Sequence, residues 1–227
     1  MKINPALKNL PVYQPGRPIE EVARELGLPA DSIIKVASNE NPFGPSPLAM
    51  AAMQKAIAGV NLYPDGNAFY LKQKLAAKLG VEPTNIILGN GSNEIIEFVA
   101  HALLQDSAGV SPAAIGEANE KKSYAGALAA GETPALRSGD DIVVSQFCFA
   151  IYPIVAKMMG ANVVTVPAKN HGHDLPAMLR AITPKTKIIF VANPNNPTGT
   201  LAPRAEVIQF VNDVPDDVLL VMDEAYI

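Results

Sequence analysis

Apolar side chains recur at three- and four-residue spacing in several segments, which is the pattern of an amphipathic helix. In residues 69–79, for example, Leu71, Leu75 and Leu79 are four positions apart, and Gly80 suits the end of a helix. The same reasoning predicts helices over residues 19–26, 48–58, 69–79, 95–104, 151–160, 175–182 and 205–212.

Short apolar runs lie among these helices and predict strands at residues 33–37, 85–88, 141–144, 163–166, 187–192 and 218–222. Strands that alternate with helices indicate βαβ units, and therefore a largely parallel sheet covered on both faces. The predicted fold class is α/β. Such sheets bind ligands beyond the carboxyl ends of their strands, so chemistry is expected in the loops that follow strands.

Three segments depart from this alternation. Residues 1–30 form a proline-rich arm, and residues 39–47 are a turn-rich connection because of their prolines and glycine. Residues 106–137 are rich in alanine, glycine and serine and only weakly periodic, which predicts a surface excursion or a lone alanine-rich helix. Their pattern assigns them no function.

Composition excludes some classes of function. The 227 residues are 48% hydrophobic and 18% charged, and the net charge of -4 argues against a nucleic-acid partner. The single cysteine, Cys148, excludes an internal disulfide. No apolar run reaches the length of a membrane span, and the N-terminus lacks the apolar region of a signal peptide. We therefore expect a cytoplasmic protein with no membrane partner.

The histidines do not predict a metal site. His101, His171 and His173 do not group with cysteines or carboxylates at the spacing of metal ligands. His171 and His173 lie in a predicted loop and are expected at the surface.

The first motif that carries chemistry is Gly-Asn-Gly-Ser-Asn-Glu at residues 89–94, between a predicted strand and a predicted helix. Its glycines allow a sharp turn, and the helix that follows presents free N–H groups and the positive end of its dipole. Ser92 and Asn93 also suit the N-cap position. The motif therefore predicts either a phosphate site or a tight turn with a capped helix.

The second motif is Asn-Pro-Asn-Asn-Pro-Thr-Gly-Thr at residues 193–200. Two Asn-Pro steps and a glycine predict a rigid turn after a buried strand. Side-chain amides held in such a turn are well placed to donate hydrogen bonds to an anionic oxygen. A turn without a ligand is the alternative.

The third motif is an apolar strand that ends in Asp-Glu-Ala-Tyr at residues 223–226. A carboxylate at the end of a buried strand is costly unless it meets a cation or a donor. A protonated ring nitrogen would be such a cation. An aspartate that caps a following helix is the alternative for Asp223.

Together and in this order, the three motifs resemble those of fold-type I aminotransferases, in which Asn-Pro-Thr-Gly and Asp-Glu-Ala-Tyr mark the cofactor pocket. Four further segments resemble the histidinol-phosphate branch: Tyr-Gln-Pro-Gly at 13–16, Ser-Asn-Glu-Asn-Pro at 38–42, Leu-Tyr-Pro-Asp at 62–65 and Phe-Ala-Ile-Tyr at 149–152. The resemblance covers almost the whole chain except residues 106–137, which it identifies as an insertion.

The resemblance implies the three-layer α/β/α fold of the transferases that depend on pyridoxal 5′-phosphate, with an aspartate aminotransferase-like large domain. Residues 1–45 would be an N-terminal arm and small-domain segment. Residues 46–227 would be the first part of the large, cofactor-binding domain.

Pyridoxal 5′-phosphate is the cofactor that the resemblance implies. Asp223 is the implied partner of the ring nitrogen, and Tyr226 and Asn196 are implied to hydrogen-bond the phenolic oxygen of the ring. Phe149 is implied to stack on the ring, with a core phenylalanine as the alternative. The residues implied for the phosphate are Gly91, Ser92 and Asn93.

The resemblance also implies partners. Tyr63 would reach the phosphate from the other subunit, so a symmetric homodimer is expected of the complete enzyme. Tyr13 and Asn39 match substrate-side positions. The implied reaction is transfer of an amino group between L-histidinol phosphate and 2-oxoglutarate, in histidine biosynthesis.

The chain departs from the family pattern at its C-terminal side. The family's Schiff-base lysine lies in a Ser-x-Ser-Lys-type motif well after Asp-Glu-Ala-Tyr, and residues 1–227 contain no lysine in such a motif. We therefore expect a truncated large domain that is inactive alone. The alternatives are another enzyme on this fold, such as an aromatic aminotransferase or a threonine-phosphate decarboxylase, and a fragment without catalysis.

Overall fold

The structure, a computed structural model, describes residue 10 and residues 12–104 and 139–227. The predicted insertion at residues 106–137 lies outside the described residues. Two compact units divide the chain, one containing Tyr13–Ile87 and the other Leu88–Ile227. The expected boundary between residues 45 and 46 falls inside the first unit, and the assignment of domains to residues 1–45 and 46–227 remains a prediction.

The unit containing Tyr13–Ile87 is helical. Its helices are α1 (Ile19–Leu26), α2 (Pro47–Ala56) and α3 (Phe69–Leu79), with short 3₁₀ turns at Ala30–Ser32, Ile57–Gly59 and Pro83–Asn85. Helix α1 ends at Gly27, whose φ of 65° is the left-handed conformation that a glycine adopts readily. Helix α2 begins with a proline after Ser46, whose hydroxyl accepts a hydrogen bond from the backbone N–H of Ala49 at 3.5 Å.

The strands predicted at residues 33–37 and 85–88 do not form. Residues 33–37 are extended, but Ile34 and Val36 are 89% and 95% exposed, and no described strand pairs with them. In the segment 85–88, Asn85 ends the 3₁₀ turn Pro83–Asn85, and residues 86–88 are irregular backbone. An apolar run becomes a strand only where a neighbouring strand completes its backbone hydrogen bonds, and local sequence does not report that neighbour.

The described residues of Leu88–Ile227 form a parallel sheet flanked by helices. The strands are β1 (Asp141–Ser145), β2 (Asn162–Val166), β3 (Thr186–Ala192) and β4 (Leu219–Asp223), and they lie in the order β2-β1-β3-β4. All neighbouring pairs are parallel. The helices are α4 (Gly91–Leu103), α5 (Ile151–Met158), α6 (Leu175–Arg180) and α7 (Arg204–Asp213). The predicted parallel α/β architecture is confirmed.

Alternate residues of the central strands serve two separate cores, as the two-residue period of a strand requires. Ile142, Val144, Ile188 and Phe190 pack with residues of α4 and α5. Their sequence neighbours on β1 and β3 pack instead with residues of α6 and α7. The sheet is therefore the middle of three layers, and the apolar runs of β1 and β3 are continuous because both of their faces are buried.

Helix α4 begins earlier than the periodicity predicts, at Gly91 rather than residue 95. The Glu94 carboxylate accepts a hydrogen bond from the backbone N–H of Asn90 at 2.5 Å, which fixes the first turn from inside the helix. Asn90 is the N-cap residue, so Ser92 and Asn93 lie within the first turn instead of capping it. The turn also follows irregular backbone rather than the predicted strand.

Within the ranges that the structure describes, no helix is both long enough and apolar enough to cross a membrane.

Candidate functional site

The segments that follow three strands meet at the carboxyl edge of the sheet. The Asn195 side-chain amide donates to the backbone carbonyl of Phe147 at 2.9 Å, which joins the segment after β3 to the segment after β1. The backbone N–H of Asn193 donates to the carbonyl of Asp223 at 3.0 Å, which joins the segment after β3 to the end of β4. The predicted residues Phe149, Asn196, Asp223 and Tyr226 all lie in these segments.

Asp223 is the last residue of β4, and both oxygens of its partly buried carboxylate accept hydrogen bonds. The Tyr152 hydroxyl donates to Oδ2 at 2.5 Å, and the backbone N–H of Ala225 donates to Oδ1 at 3.1 Å. The second bond is a local turn contact of the kind that aspartate makes with the chain two residues on. The first bond reaches across 71 positions of sequence and is not part of any cap.

Tyr152 supplies the donor from a fully buried position on α5, where it is 1% exposed. Its ring stacks on Phe190, with centroids 4.6 Å apart, and meets the Phe149 ring edge-on at 5.7 Å. Burial, followed by the hydrogen bond to Asp223, raises the pKa of the Tyr152 phenol far above its usual range. The hydroxyl therefore stays protonated and donates, and Asp223 is the acceptor.

The loop after β3 is held by its own asparagines. Asn195 is 3% exposed, and its amide also donates to Thr198 Oγ1 at 2.7 Å. The Asn193 side-chain oxygen accepts from the backbone N–H of Ala202 at 2.8 Å. Both Asn-Pro peptide bonds in the loop are cis. The Asn193 amide thus holds the loop itself, and the Asn195 amide also ties the loop to the segment after β1. The Asn196 side chain, by contrast, has no hydrogen-bond partner among the described residues and is only partly buried.

The N-terminus of α4 is exposed, as a phosphate site requires. Gly91, Ser92 and Asn93 all lie at the surface, and Gly91 has a φ of 75°. The Gly91 N–H is not free as expected, because it donates to the carbonyl of Gly89 at 3.0 Å. The N–H groups of Ser92 and Asn93 have no partner within the part of the chain that the structure describes. The donors available to an anion are therefore those of Ser92 and Asn93.

Three predicted residues lie in the unit containing Tyr13–Ile87. Tyr13 and Asn39 are exposed, and the Tyr63 side chain is fully exposed. Asn39 has a φ of 50°, a conformation that asparagine tolerates better than most residues. The roles of these three residues remain predictions.

His173 is not the surface residue that its loop position predicts. It is partly buried, and its Nε2 lies 2.8 Å from the carbonyl oxygen of Ala192, the last residue of β3. Burial lowers the pKa of His173, so the neutral ring donates from Nε2. His171 is exposed as predicted, although its ring stacks on Phe147. Among the described residues, no three His, Cys, Asp or Glu side chains are grouped so as to hold a metal ion.

The sequence profile of class I and II aminotransferases matches residues 31–112 and 122–227. The chain belongs to this family. The unmatched residues 113–121 fall within the segment that the sequence identifies as an insertion.

Curated aminotransferase relatives share close to half of the residues of this chain. A histidinol-phosphate aminotransferase 2 from Nitrosospira multiformis is 46% identical over 214 residues, which cover 94% of this chain and 46% of that protein. A protein of the same name from Pseudomonas fluorescens is 46% identical over 223 residues, which cover 98% of this chain and 52% of that protein. This aminotransferase chain therefore spans about half the length of the curated relatives it matches.

Solved structures of aminotransferases share the fold. A histidinol-phosphate aminotransferase from Sinorhizobium meliloti in complex with pyridoxal-5′-phosphate is 26% identical, with a TM-score of 0.73, over 99% of this chain and 51% of that one. A Thermus thermophilus aspartate aminotransferase matches with a TM-score of 0.66 at 21% identity. The predicted aspartate aminotransferase-like fold is confirmed.

Sequence reasoning misses two polar residues at the carboxyl edge of the sheet. Tyr152 was singled out only as part of a motif, yet its hydroxyl is the side-chain donor to Asp223. Asn195 was not distinguished from its neighbours, yet it joins two segments of the edge. For Tyr152 a signal exists in the sequence, because a tyrosine in the apolar first turn of a buried helix needs a partner for its hydroxyl.

Proposed function

We propose that this chain is part of an aminotransferase that uses pyridoxal 5′-phosphate to transfer an amino group between L-histidinol phosphate and 2-oxoglutarate. The observation that carries the proposal is the Asp223 carboxylate, which ends a parallel strand and is oriented by two donors. The names of the curated relatives support the substrates, and the cofactor named with the Sinorhizobium meliloti structure supports the cofactor.

The donors and acceptors of the described residues fit the cofactor. Ser92 and Asn93 offer unpaired N–H groups at an exposed helix N-terminus, where a phosphate is stabilised by the helix dipole. Phe149 is partly exposed beside Tyr152, as a stacking residue needs to be. Each carboxylate oxygen of Asp223 can accept a further hydrogen bond besides the one it makes, so the group can also meet a ring N–H.

Pyridoxal 5′-phosphate supplies an electron sink when its ring nitrogen is protonated. In our proposal the Asp223 carboxylate holds the proton on that nitrogen by its charge. Phe149 orients the ring by stacking, and Asn196 and Tyr226 hydrogen-bond its phenolic oxygen. Ser92 and Asn93 hold the phosphate, with Gly91 allowing the backbone to approach closely.

The partners and location remain part of the proposal. We infer a homodimer in which Tyr63 reaches the phosphate bound by the other subunit. Tyr13 and Asn39 contact the substrate, residues 1–45 are the arm and small-domain segment, and residues 46–227 begin the large domain. The protein works in the cytoplasm, without nucleic acid or membrane.

The test uses protein expressed from the full reading frame that encodes this chain. We expect the wild-type protein to transfer the amino group of histidinol phosphate to 2-oxoglutarate, measured as glutamate formed. The Asp223→Ala variant should lose this activity because the charge that keeps the ring nitrogen protonated is gone. Its circular dichroism spectrum should match that of the wild type.

Asp217→Ala is the matched control, because it removes an exposed aspartate from the turn before β4. That variant should keep wild-type turnover. Wild-type turnover by Asp223→Ala would refute the role of the carboxylate. A wild-type protein that forms glutamate only from other amino donors would refute the proposed substrate while leaving the reaction class intact.

A further inference from the structure

Tyr152 is the common neighbour of two of the residues that the proposed function places around the cofactor ring, Asp223 and Phe149. Its hydroxyl donates to the Asp223 carboxylate at 2.5 Å, and its ring meets the Phe149 ring edge-on, with centroids 5.7 Å apart and planes at 86°. On its other side, the Tyr152 ring stacks on the buried ring of Phe190. The two ring centroids are 4.6 Å apart, and the ring planes are nearly parallel. The Tyr152 side chain is thus held by the core while it contacts both groups at the edge.

We propose that Tyr152 is a positioning residue, which orients the Asp223 carboxylate and the Phe149 ring together before the protonated ring of the cofactor binds against them. The inference rests on the proposed function, since it assumes that these two residues face the ring of the cofactor.

The first argument is the presence of a hydroxyl at this position. Tyr152 is 1% exposed, and a buried hydroxyl is destabilising unless it is hydrogen-bonded. Phenylalanine would fill almost the same volume and stack equally well on Phe190. What tyrosine adds is the bond to Asp223, so the hydroxyl serves the carboxylate rather than the packing of the core.

The second argument is the geometry of the carboxylate. The backbone N–H of Ala225 holds Oδ1, and the Tyr152 hydroxyl holds Oδ2. Two donors on two oxygens restrict rotation of the carboxylate, whereas one donor leaves it free to turn. Loss of the hydroxyl would therefore leave the charge in place but its direction unfixed, which weakens an interaction that depends on orientation.

The neighbouring titratable groups leave Tyr152 in the role of donor. The groups that raise the pKa of its phenol, besides burial, are Asp223, Cys148 and Tyr226. Burial raises the pKa of the Cys148 thiol to about 11, so the thiol is neutral near pH 7. The Tyr152 hydroxyl therefore keeps its proton, and it donates the hydrogen bond that the Asp223 carboxylate accepts.

A double-mutant cycle tests this role in protein expressed from the full reading frame. The variants are Tyr152→Phe, Asp223→Asn and the two combined, with Tyr70→Phe as a control that removes the hydroxyl of an exposed tyrosine. The dissociation constants of pyridoxal 5′-phosphate and of inorganic phosphate are measured for each. A hydrogen bond to a charged group has an effect on the order of tenfold, so Tyr152→Phe should weaken cofactor binding about tenfold.

Inorganic phosphate supplies the internal control, because it needs the helix terminus but not Asp223. Its affinity should be unchanged in Tyr152→Phe. In the Asp223→Asn background, the same substitution should change cofactor affinity less than about twofold, since the carboxylate that it positions is already gone. If Tyr152 had a merely structural role, Tyr152→Phe would weaken the binding of both the cofactor and phosphate. The loss of cofactor affinity would then also appear in the Asp223→Asn background.

The outcomes separate this inference from the proposed function. If the wild-type protein and Tyr152→Phe bind the cofactor with the same dissociation constant, the inference is overturned and the proposed function still stands. A wild-type protein that binds no cofactor overturns both. Tyr152→Met serves as a second variant without a hydroxyl, and failure of both variants to fold would show that the residue holds the core rather than the carboxylate.

Discussion

The Asn195 side chain helps to hold the loop after β3, and removing it should destabilise the protein measurably. Its amide donates to the Phe147 carbonyl at 2.9 Å and to Thr198 Oγ1 at 2.7 Å. At a net contribution of about 1 kcal/mol each, the loss of both bonds in Asn195→Ala costs about 2 kcal/mol.

Two further contributions to the free energy of unfolding nearly cancel. Truncation leaves the Phe147 carbonyl without this donor, at a cost of about 1 kcal/mol. It also removes Asn195 Oδ1, a buried atom with no partner among the described residues, which is stabilising by a similar amount. The expected net change is therefore a loss of about 2 kcal/mol in the stability of the 227-residue chain.

Urea unfolding followed by circular dichroism measures this change. Thr198→Val removes the second acceptor and also the 3.0 Å hydrogen bond between the Thr198 and Thr200 hydroxyls, so it should lose about 1–2 kcal/mol. Asn212→Ala, which truncates an exposed asparagine on α7, should stay within about 0.5 kcal/mol of wild type. An Asn195→Ala variant as stable as that control would show that these two bonds do not hold the loop.

Three further predictions concern the same unit. Burial lowers the pKa of His173 from 6.5, so below about pH 6.5 the unfolded chain binds more protons than the folded one. The free energy of unfolding should therefore decrease as the pH is lowered below about 6.5, and it should decrease less steeply in His173→Gln. Met178 is fully buried, and Met178→Ala should cost about 2–5 kcal/mol in urea unfolding, unlike Met158→Ala at a partly exposed position. Phosphate titration should shift the backbone amide NMR signals of Ser92 and Asn93; shifts confined to other residues would remove the phosphate site from α4.

The sheet was predictable because its signal is local. The middle residues of β1 (142–144) and β3 (188–192) are apolar without interruption, which is typical of a strand buried on both faces. The helices between the strands show their own period, so the alternation of strands and helices indicates the parallel direction of the strands that the structure has. The placement of the segments that carry Phe149, Asn196 and Asp223 at one edge follows from this parallel direction, since parallel strands end on the same side.

The errors came from contacts that local sequence does not contain. Residues 33–37 have the composition of a strand but no strand to pair with among the described residues. Helix α4 starts early because the Glu94 carboxylate accepts a hydrogen bond from the backbone N–H of Asn90. His173 looks like a loop histidine until the end of β3 is seen to accept its hydrogen bond. In each case the outcome depends on a contact that hydrophobic periodicity does not predict, either with a segment distant in sequence or with a polar side chain.

Buried polar side chains lie at both ends of the sheet: Asp141 and Thr186 begin β1 and β3, whereas Ser145 ends β1 and Asn195 follows β3. Of the buried side-chain atoms that the structure describes, those without a hydrogen-bond partner are His173 Nδ1 and Asn195 Oδ1, and both belong to residues bonded at or beside the end of β3. Each such atom costs about 1–3 kcal/mol, and apolar residues of similar volume would avoid the cost. The clusters on the two faces of the sheet are made of hydrophobic residues. Departures from the local rules of stability are expected where a protein holds polar groups in place for a ligand, so unpartnered buried atoms beside the end of β3 agree with the proposed site at this edge of the sheet.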